Sequence, residues 1–348
     1  MYFDFQGIFS ESLRCLKKVR TLDKPFTTMN QLIDRYLKAF KKLRIDRSHG
    51  IAPHKPILLI ALIQSYQIGQ IKDQRIYITP ELVALFKSIW SALATTAHDC
   101  RISYPFYYMK SEGFWKLKPK PGFSDIDKMG SLVKSFSSLN SAVDFAEIDE
   151  ELFALLTSET DRRILKQFLL DEYFPDSQGK LGDGSGEASG LISGINDQIV
   201  NEPPAEYKAS IRQLIIEKND EEIFLRGSLF KREIPRIYNN RCCISGMQID
   251  TTHNISMIDA CHIVPFSESY DDTITNGIAL CPNLHRAFDR GLISISQDFN
   301  VIITDIFSEN KSNYSLKQFD GARIELPSNK RYWPSLENLE WHEENVFK

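Results

Sequence analysis

The sequence predicts an α+β protein of two domains: a helix-rich mixed domain, a flexible linker, and a smaller strand–loop–helix domain. Three observations carry that prediction. The chain has 348 residues, more than one compact core usually takes, and its composition is that of an ordinary globular protein, 42% hydrophobic and 25% charged. Apolar residues recur at helical spacing in some stretches and as short β-branched runs in others. From Gln178 through Gly179, Gly182, Gly184 and Gly186 the chain turns glycine-rich, and it stays polar without an apolar period to about Glu206. The divisions then fall at 1–176, a linker at 177–205, and 206–348.

Leu32, Ile33, Tyr36, Leu37, Phe40 and Leu43 mark an amphipathic helix over Asn30 to Arg44 with a basic outer face. Ala52-Pro53-His54-Lys55-Pro56 opens a second helix, because proline suits first-turn positions, and the apolar run carries it to about Tyr66. Ile71 to Ile78 reads as a strand. Thr79-Pro80-Glu81 supplies an N-cap, a first-turn proline and an acid for a helix carrying Leu82, Leu85, Phe86, Ile89 and Trp90. Tyr104 to Met109 and Phe114 to Lys118 flank Lys110-Ser111-Glu112-Gly113 as a hairpin, so the first domain reads as winged-helix-like. Such modules bind DNA or serve as plain interaction domains. Helical patterns continue from Leu152 to Tyr173, and a later helix ends near Tyr238-Asn239-Asn240. Leu292 to Ile295 and Val301 to Thr304 are short strands around Asp298-Phe299-Asn300.

The net charge of −4 argues against a non-specific polyanion binder, but its distribution is uneven. Residues 1–55 hold twelve Lys/Arg against five acids, so this end would help to hold nucleic acid if any is bound. The longest apolar run, Ile57 to Ile63, is far short of the ~20 residues of a membrane span, and Met1 to Arg20 lacks the layout of a signal peptide. A cytoplasmic location with no membrane partner is the expectation. Cysteines 15, 100, 242, 243, 261 and 281 lack the spacing of a disulfide scaffold and read as thiols.

The stretch richest in chemistry runs from Asp259-Ala260-Cys261-His262-Ile263-Val264-Pro265 to Asn276-Gly277-Ile278-Ala279-Leu280-Cys281-Pro282-Asn283-Leu284-His285-Arg286-Ala287-Phe288-Asp289. His262 and Asn276 are fourteen residues apart, Asn276 and His285 nine. In these residues the sequence resembles the HNH endonuclease superfamily, in its restriction-like branch. The likeness extends upstream to Arg241-Cys242-Cys243-Ile244-Ser245-Gly246 and downstream to Ile324-Glu325-Leu326-Pro327 and Trp341-His342, about 225–348 in all. The resemblance implies a ββα-metal nuclease domain, with His262, Asn276 and His285 in catalytic positions and a divalent metal ion, Mg, Mn, Ni or Zn.

The residues make chemical sense without the family. A phosphodiester is hydrolysed by a deprotonated water, with the developing charge on phosphate and leaving oxygen neutralised; histidine titrates near working pH, and a metal supplies charge. His262 on a strand can be the base. Asn276 can pin the connecting loop through its side chain. A helix starting at Pro282 carries His285 and Asp289 at i and i+4 on one side, which makes half a metal site. Where relatives often place Asp or His before the base, this chain has Cys261, a thiol that suits zinc better than magnesium. Cys261 then either packs or ligates, and Asp259, on the same side of the strand, could substitute. Relatives with two CxxC pairs hold a structural zinc; here Gly246 and Leu284 stand at the second positions, so no zinc knuckle is expected, and Cys242, Cys243 and Cys281 read as buried small residues. His253 and His342 read as structural, while Arg286 and Arg290 read equally as phosphate contacts or plain surface charge.

Residues 45–118 resemble, more loosely, the sulfur-binding domain of restriction endonucleases that recognise phosphorothioate-modified DNA. The matching elements are Ala52-Pro53-His54-Lys55-Pro56 and Tyr104-Pro105-Phe106 before Gly113-Phe114-Trp115. Sulfur in place of a non-bridging phosphate oxygen is larger and less hydrated, so a dish of proline ring and aromatic edge desolvates it at little cost. The resemblance implies Tyr104, Pro105 and Phe106 as that dish, flanked by His54, Lys55 and Arg101 as DNA contacts. The arginine that the family places downstream of the Tyr-Pro pair is absent; Lys128 and Lys134 are the cations there. The expectation is a restriction-type, antiviral-defence endonuclease acting on modified double-stranded DNA, with homodimerisation left open. Two alternatives stay beside it: an HNH nuclease reading another DNA modification, and a catalytically idle modified-DNA sensor.

Overall fold

The computed structural model describes residues 26–48, 50–123, 135–182, 185–249 and 256–348. Its N-terminal half sets helices around a three-stranded sheet: α1 (Phe26–Lys41), α2 (His54–Gln67), β1 (Arg75–Ile76), α3 (Pro80–Leu93), α4 (Ser103–Tyr108), β2 (Trp115–Pro119), α5 (Phe136–Ala142), β3 (Val143–Ile148), α6 (Glu150–Thr157) and α7 (Glu159–Tyr173). Every residue of α2 from Lys55 to Tyr66 is buried, so the apolar run Ile57 to Ile63 is the central helix of this half, covered on all sides. α3 starts where its cap requires: the Thr79 hydroxyl accepts the Leu82 N–H at 3.2 Å, with Pro80 in the first turn.

Two local expectations are corrected here. The hairpin on which the winged-helix reading rested is not formed, because Ser103 to Tyr108 is helix α4, continued as a tight turn over Met109–Glu112. Ile102, Phe106 and Met109 all lie at 0% exposure, and their spacing of four and three is that of a helix face, with Pro105 in its first turn. β2 pairs instead with the distant β3, Trp115 opposite Ile148, in a sheet of order β1-β3-β2. The strand expected over Ile71 to Ile78 narrows to Arg75–Ile76, opposite Glu147 and Ala146.

The stretch expected as a flexible linker is instead largely helical: α8 (Ser185–Asn201) and α9 (Pro204–Ile216) follow a short turn at Gln178–Lys180. Ala188, Ile195 and Ile199 are buried, and α8 packs on α3 and on α10 (Asp220–Ile237). Gly190 and Gly194 face solvent and each costs about 1 kcal/mol against alanine in a helix, so tertiary burial of the opposite face must outweigh them.

α10 is the shared support of both halves. Asn219 caps it, and the Glu221 carboxylate in its first turn accepts the Ile102 N–H at 2.8 Å, beside the start of α4. Burial pushes that carboxyl up to about 7. Leu229, Phe230 and Ile234 lie at 0% exposure, and the helix touches β4 (Asp259–His262) and β5 (Gly277–Leu280), an antiparallel pair with His262 opposite Gly277. Gly277 is what lets the helix lie so close: a Cβ there would come within 2.2 Å of Ile234 Cδ1 and 2.9 Å of Phe230 Cε2.

Between the strands lies the short helix α11 (Phe266–Ser269), and after them α12 (Pro282–Asp289), the hairpin β6 (Ile293–Ile295) and β7 (Val301–Ile303), and α13 (Leu336–Asn345). His342 fastens α13 to this domain. Its Nδ1 lies 2.8 Å from Ser294 Oγ, its Nε2 3.2 Å from the Phe288 carbonyl, and its ring stacks on Phe288 at 3.6 Å. Burial lowers its pKa from 6.5 to about 4. The unfolded chain therefore binds more protons between those values, so the contribution of the neutral ring is complete above pH 6.5 and is lost as pH falls toward 4, about 3 kcal/mol in all. Urea unfolding of the wild type and His342→Gln should show a stability gap that shrinks as pH falls from 7 to about 4.5. A gap independent of pH would mean that the folded state tolerates the charged ring. Among the described residues no helix is long and apolar enough to cross a membrane, and His253, Lys128 and Lys134 lie outside the described residues.

Candidate active site

Strand alternation puts Asp259 and Cys261 on one face of β4 and His262 on the other. α12 lies against the first face, with Pro282 in its first turn as the sequence requires. His285 and Asp289, one turn apart, reach back to the strand: His285 Nδ1 is 3.2 Å from Asp259 Oδ2, His285 Nε2 3.5 Å from Asp289 Oδ2, and Cys261 Sγ 3.9 Å from Asp289 Oδ1. One ligand atom each from Cys261, His285 and Asp289 lies within 4.8 Å of the other two.

These donors fit a divalent cation. Imidazole, thiol and carboxylate form a mixed set that borderline ions such as zinc, nickel or manganese accept more readily than magnesium, which favours oxygen ligands. Burial first, and then the Asp289 carboxylate, push the Cys261 thiol well above its ordinary range, so the bare site holds it protonated; a bound cation would be needed to hold the thiolate. Asp259 and Asp289 remain about half exposed, which leaves the cluster open to an incoming ligand.

On the other face the His262 ring stacks on Phe230 of α10, centroids 4.0 Å apart and planes within 9°. His262 Nε2 lies 2.8 Å from Asp272 Oδ1, and the imidazole keeps 20% of its side-chain surface exposed. Asn276 is fully buried and ties the loop together: its Oδ1 accepts the Val264 N–H, and its Nδ2 donates to the carbonyls of Val264 and Asp271, each at 2.9 Å. Asn338 of α13 donates to the same Oδ1 at 3.1 Å. Phe230, Asp272 and Asn338 were not singled out in the sequence. Asp272 had a signal, one of two adjacent acids shortly before Asn276; Phe230 and Asn338 had none, since each reaches the loop from a separate helix.

In the N-terminal half, His54, Tyr104, Pro105 and Tyr108 line a cavity of about 710 Å³, with His98 and Arg44 beside them. His54 packs against Trp90 and Tyr104, its Nε2 lies 2.9 Å from the Asp99 carbonyl, and burial lowers its pKa, so it faces the cavity as a neutral ring. One expected DNA contact needs correction. Phe106 is fully buried beneath Trp115; Lys55, buried in the core helix and ion-paired with Glu112, still lines the cavity, and Arg101 lies over the Tyr104 ring at 5.8 Å, off that lining. Arg44, which the sequence marks only as one basic residue of the first helix, is the exposed cation on that lining.

Residues 242–296 match the family model of the HNH endonucleases, so the segment that carries Cys261, His262, Asn276, His285 and Asp289 is an HNH endonuclease domain. No curated protein matches the sequence. Among solved structures the chain is similar to a modification dependent TagI restriction endonuclease, at 20% identity and a TM-score of 0.27, over 34% of this chain and 37% of that one. The chain thus spans little more than a third of that structure's length.

Proposed function

We propose that this protein is a metal-dependent, restriction-type endonuclease that cleaves modified double-stranded DNA. The observation that carries the reading is the meeting of Cys261, His285 and Asp289 on one side of a β-strand whose next residue is His262. Cys261, His285 and Asp289, with Asp259 behind His285, would hold the metal ion, which when bound supplies positive charge beside the scissile phosphate. His262 takes a proton from the attacking water. Asn276 keeps the backbone at Val264 in place and so fixes where that histidine stands. The open face between Asp259 and Asp289 is where the phosphate would enter.

The mark on the DNA is proposed to be backbone sulfur, read in the cavity lined by His54, Tyr104, Pro105 and Tyr108. A neutral imidazole, a proline ring and aromatic edges offer a phosphate oxygen little to replace its hydration, and Lys55 on the same lining is already paired with Glu112, whereas sulfur loses less on entering. Arg44 is placed to hold the flanking phosphate. Matched plasmids with and without phosphorothioate linkages, incubated with the protein and Mg²⁺, Mn²⁺, Ni²⁺ or Zn²⁺, test both halves of the proposal. Cleavage of the sulfur-bearing plasmid alone is expected; equal cleavage of both removes the sulfur reading and leaves the nuclease, and no cleavage with any metal favours a sensor that binds without cutting.

Binding isolates the reader from the cutter. In chelator, the full chain should hold phosphorothioate duplex about five-fold more tightly than plain duplex, roughly 1 kcal/mol, and Pro105→Glu should erase the difference. Arg44→Ala should weaken both duplexes alike, because a phosphate contact carries no information about the mark. Wild-type protein that binds both duplexes equally across a range of salt would move recognition away from this cavity.

A further inference from the structure

We infer that Asp272 is a positioning residue for His262: from the loop between β4 and β5 it holds the imidazole in the tautomer that leaves Nδ1 free to take a proton from water. The inference rests on the reading of His262 as general base. Two adjacent acids in that loop do different work. Asp271 serves the loop itself, accepting the Thr273 N–H at 2.9 Å, offering its backbone carbonyl to Asn276 Nδ2, and lying 3.5 Å from Lys208 Nζ. Asp272, with its side chain only 2% exposed, turns its carboxylate to His262 Nε2 at 2.8 Å.

A carboxylate only accepts hydrogen bonds, so Nε2 carries the hydrogen and the lone pair of the neutral ring sits on Nδ1. The ring cannot easily turn to exchange its nitrogens. Phe230 stacks flat against it, and α10, which brings Phe230 there, is seated against β5 through the close approach at Gly277. Aspartate and ring stack occupy Nε2 and one face of the ring, and among the described residues no hydrogen bond engages Nδ1; with little water around Asp272 the bond that selects the tautomer is strengthened. Such an arrangement supplies the orientation of a base without touching substrate or metal.

The test is Asp272→Asn in the full chain, an exchange of nearly equal size whose amide can turn either an acceptor or a donor to Nε2. Cleavage should fall about 10²-fold or more, while DNA affinity in chelator, metal affinity and melting temperature stay near wild type. ¹⁵N NMR of histidine-labelled protein in alkaline buffer, with His262→Ala used to assign the signal, should show His262 as the Nε2–H tautomer in the wild type and as a mixture in Asp272→Asn. An Asp272→Asn protein that cuts within about twofold of wild type with an unchanged His262 signal overturns the inference. Should that variant fail to fold, the wild-type spectrum decides alone, since an Nδ1–H tautomer there also overturns it. The two readings fail separately: wild-type cleavage by His262→Ala removes the base itself, whereas an inactive His262→Ala beside a fully active Asp272→Asn removes only the role of Asp272.

Discussion

His262→Ala is expected to abolish cleavage, with a loss of about 10²–10⁴-fold, the range a general base contributes when it accepts a proton in the transition state. DNA affinity should change little, since the imidazole is mostly enclosed by Phe230 and Asp272 and only 20% of its side-chain surface is exposed. Comparing single-turnover cleavage with binding in chelator separates the two quantities. The substitution also leaves a gap beneath Phe230, so the melting temperature belongs in the same experiment. A stable His262→Ala protein that cleaves at the wild-type rate would require a different base, with the Asp272 carboxylate beside it the first to test.

The second large effect is expected at the metal ligands. His285→Ala should lower metal affinity by two orders of magnitude or more, because loss of an outer-shell partner alone typically costs about 10–100-fold and His285 is here a direct donor. Asp289 is more than half exposed and shares its work with Asp259 through His285, so Asp289→Ala should be rescued in part by excess metal and His285→Ala should not. Cys261→Asp should shift the preference of the enzyme from thiophilic ions toward Mg²⁺ and Mn²⁺, since the exchange replaces a soft donor with a hard one. Titration calorimetry that finds unchanged affinity in both His285→Ala and Asp289→Ala would move the metal elsewhere.

Much of the nuclease segment was legible because its determinants are local. The proline at 282 starts a helix, the i and i+4 spacing of His285 and Asp289 sets both on one side, and the period of a strand separates Cys261 from His262; each follows from backbone geometry within a few residues. The cap at Thr79 was legible for the same reason. Asn276 as a loop pin needed only a buried amide with both ends in use, and its three 2.9 Å bonds supply that.

The expectations that failed concern partners distant in the chain. Tyr104 to Met109 alternates poorly as a strand and repeats well as a helix, but only the packing of Ile102, Phe106 and Met109 into the core decides between them. The glycines of 179–194 signal a linker to any local measure, and the burial of Ala188, Ile195 and Ile199 against α3 and α10 overrides it. Lys55 reads as a free cation until Glu112, 57 residues on, is found beside it. Sequence alone determined the local elements on which the candidate site residues stand, because capping, spacing and periodicity act over one or two turns. The tertiary structure alone decided what faces what: Phe230 and Asp272 against His262, Arg44 beside Lys55 at the cavity, and α10 as the common support of both halves, since burial and close approach between distant segments leave no periodic trace in the chain.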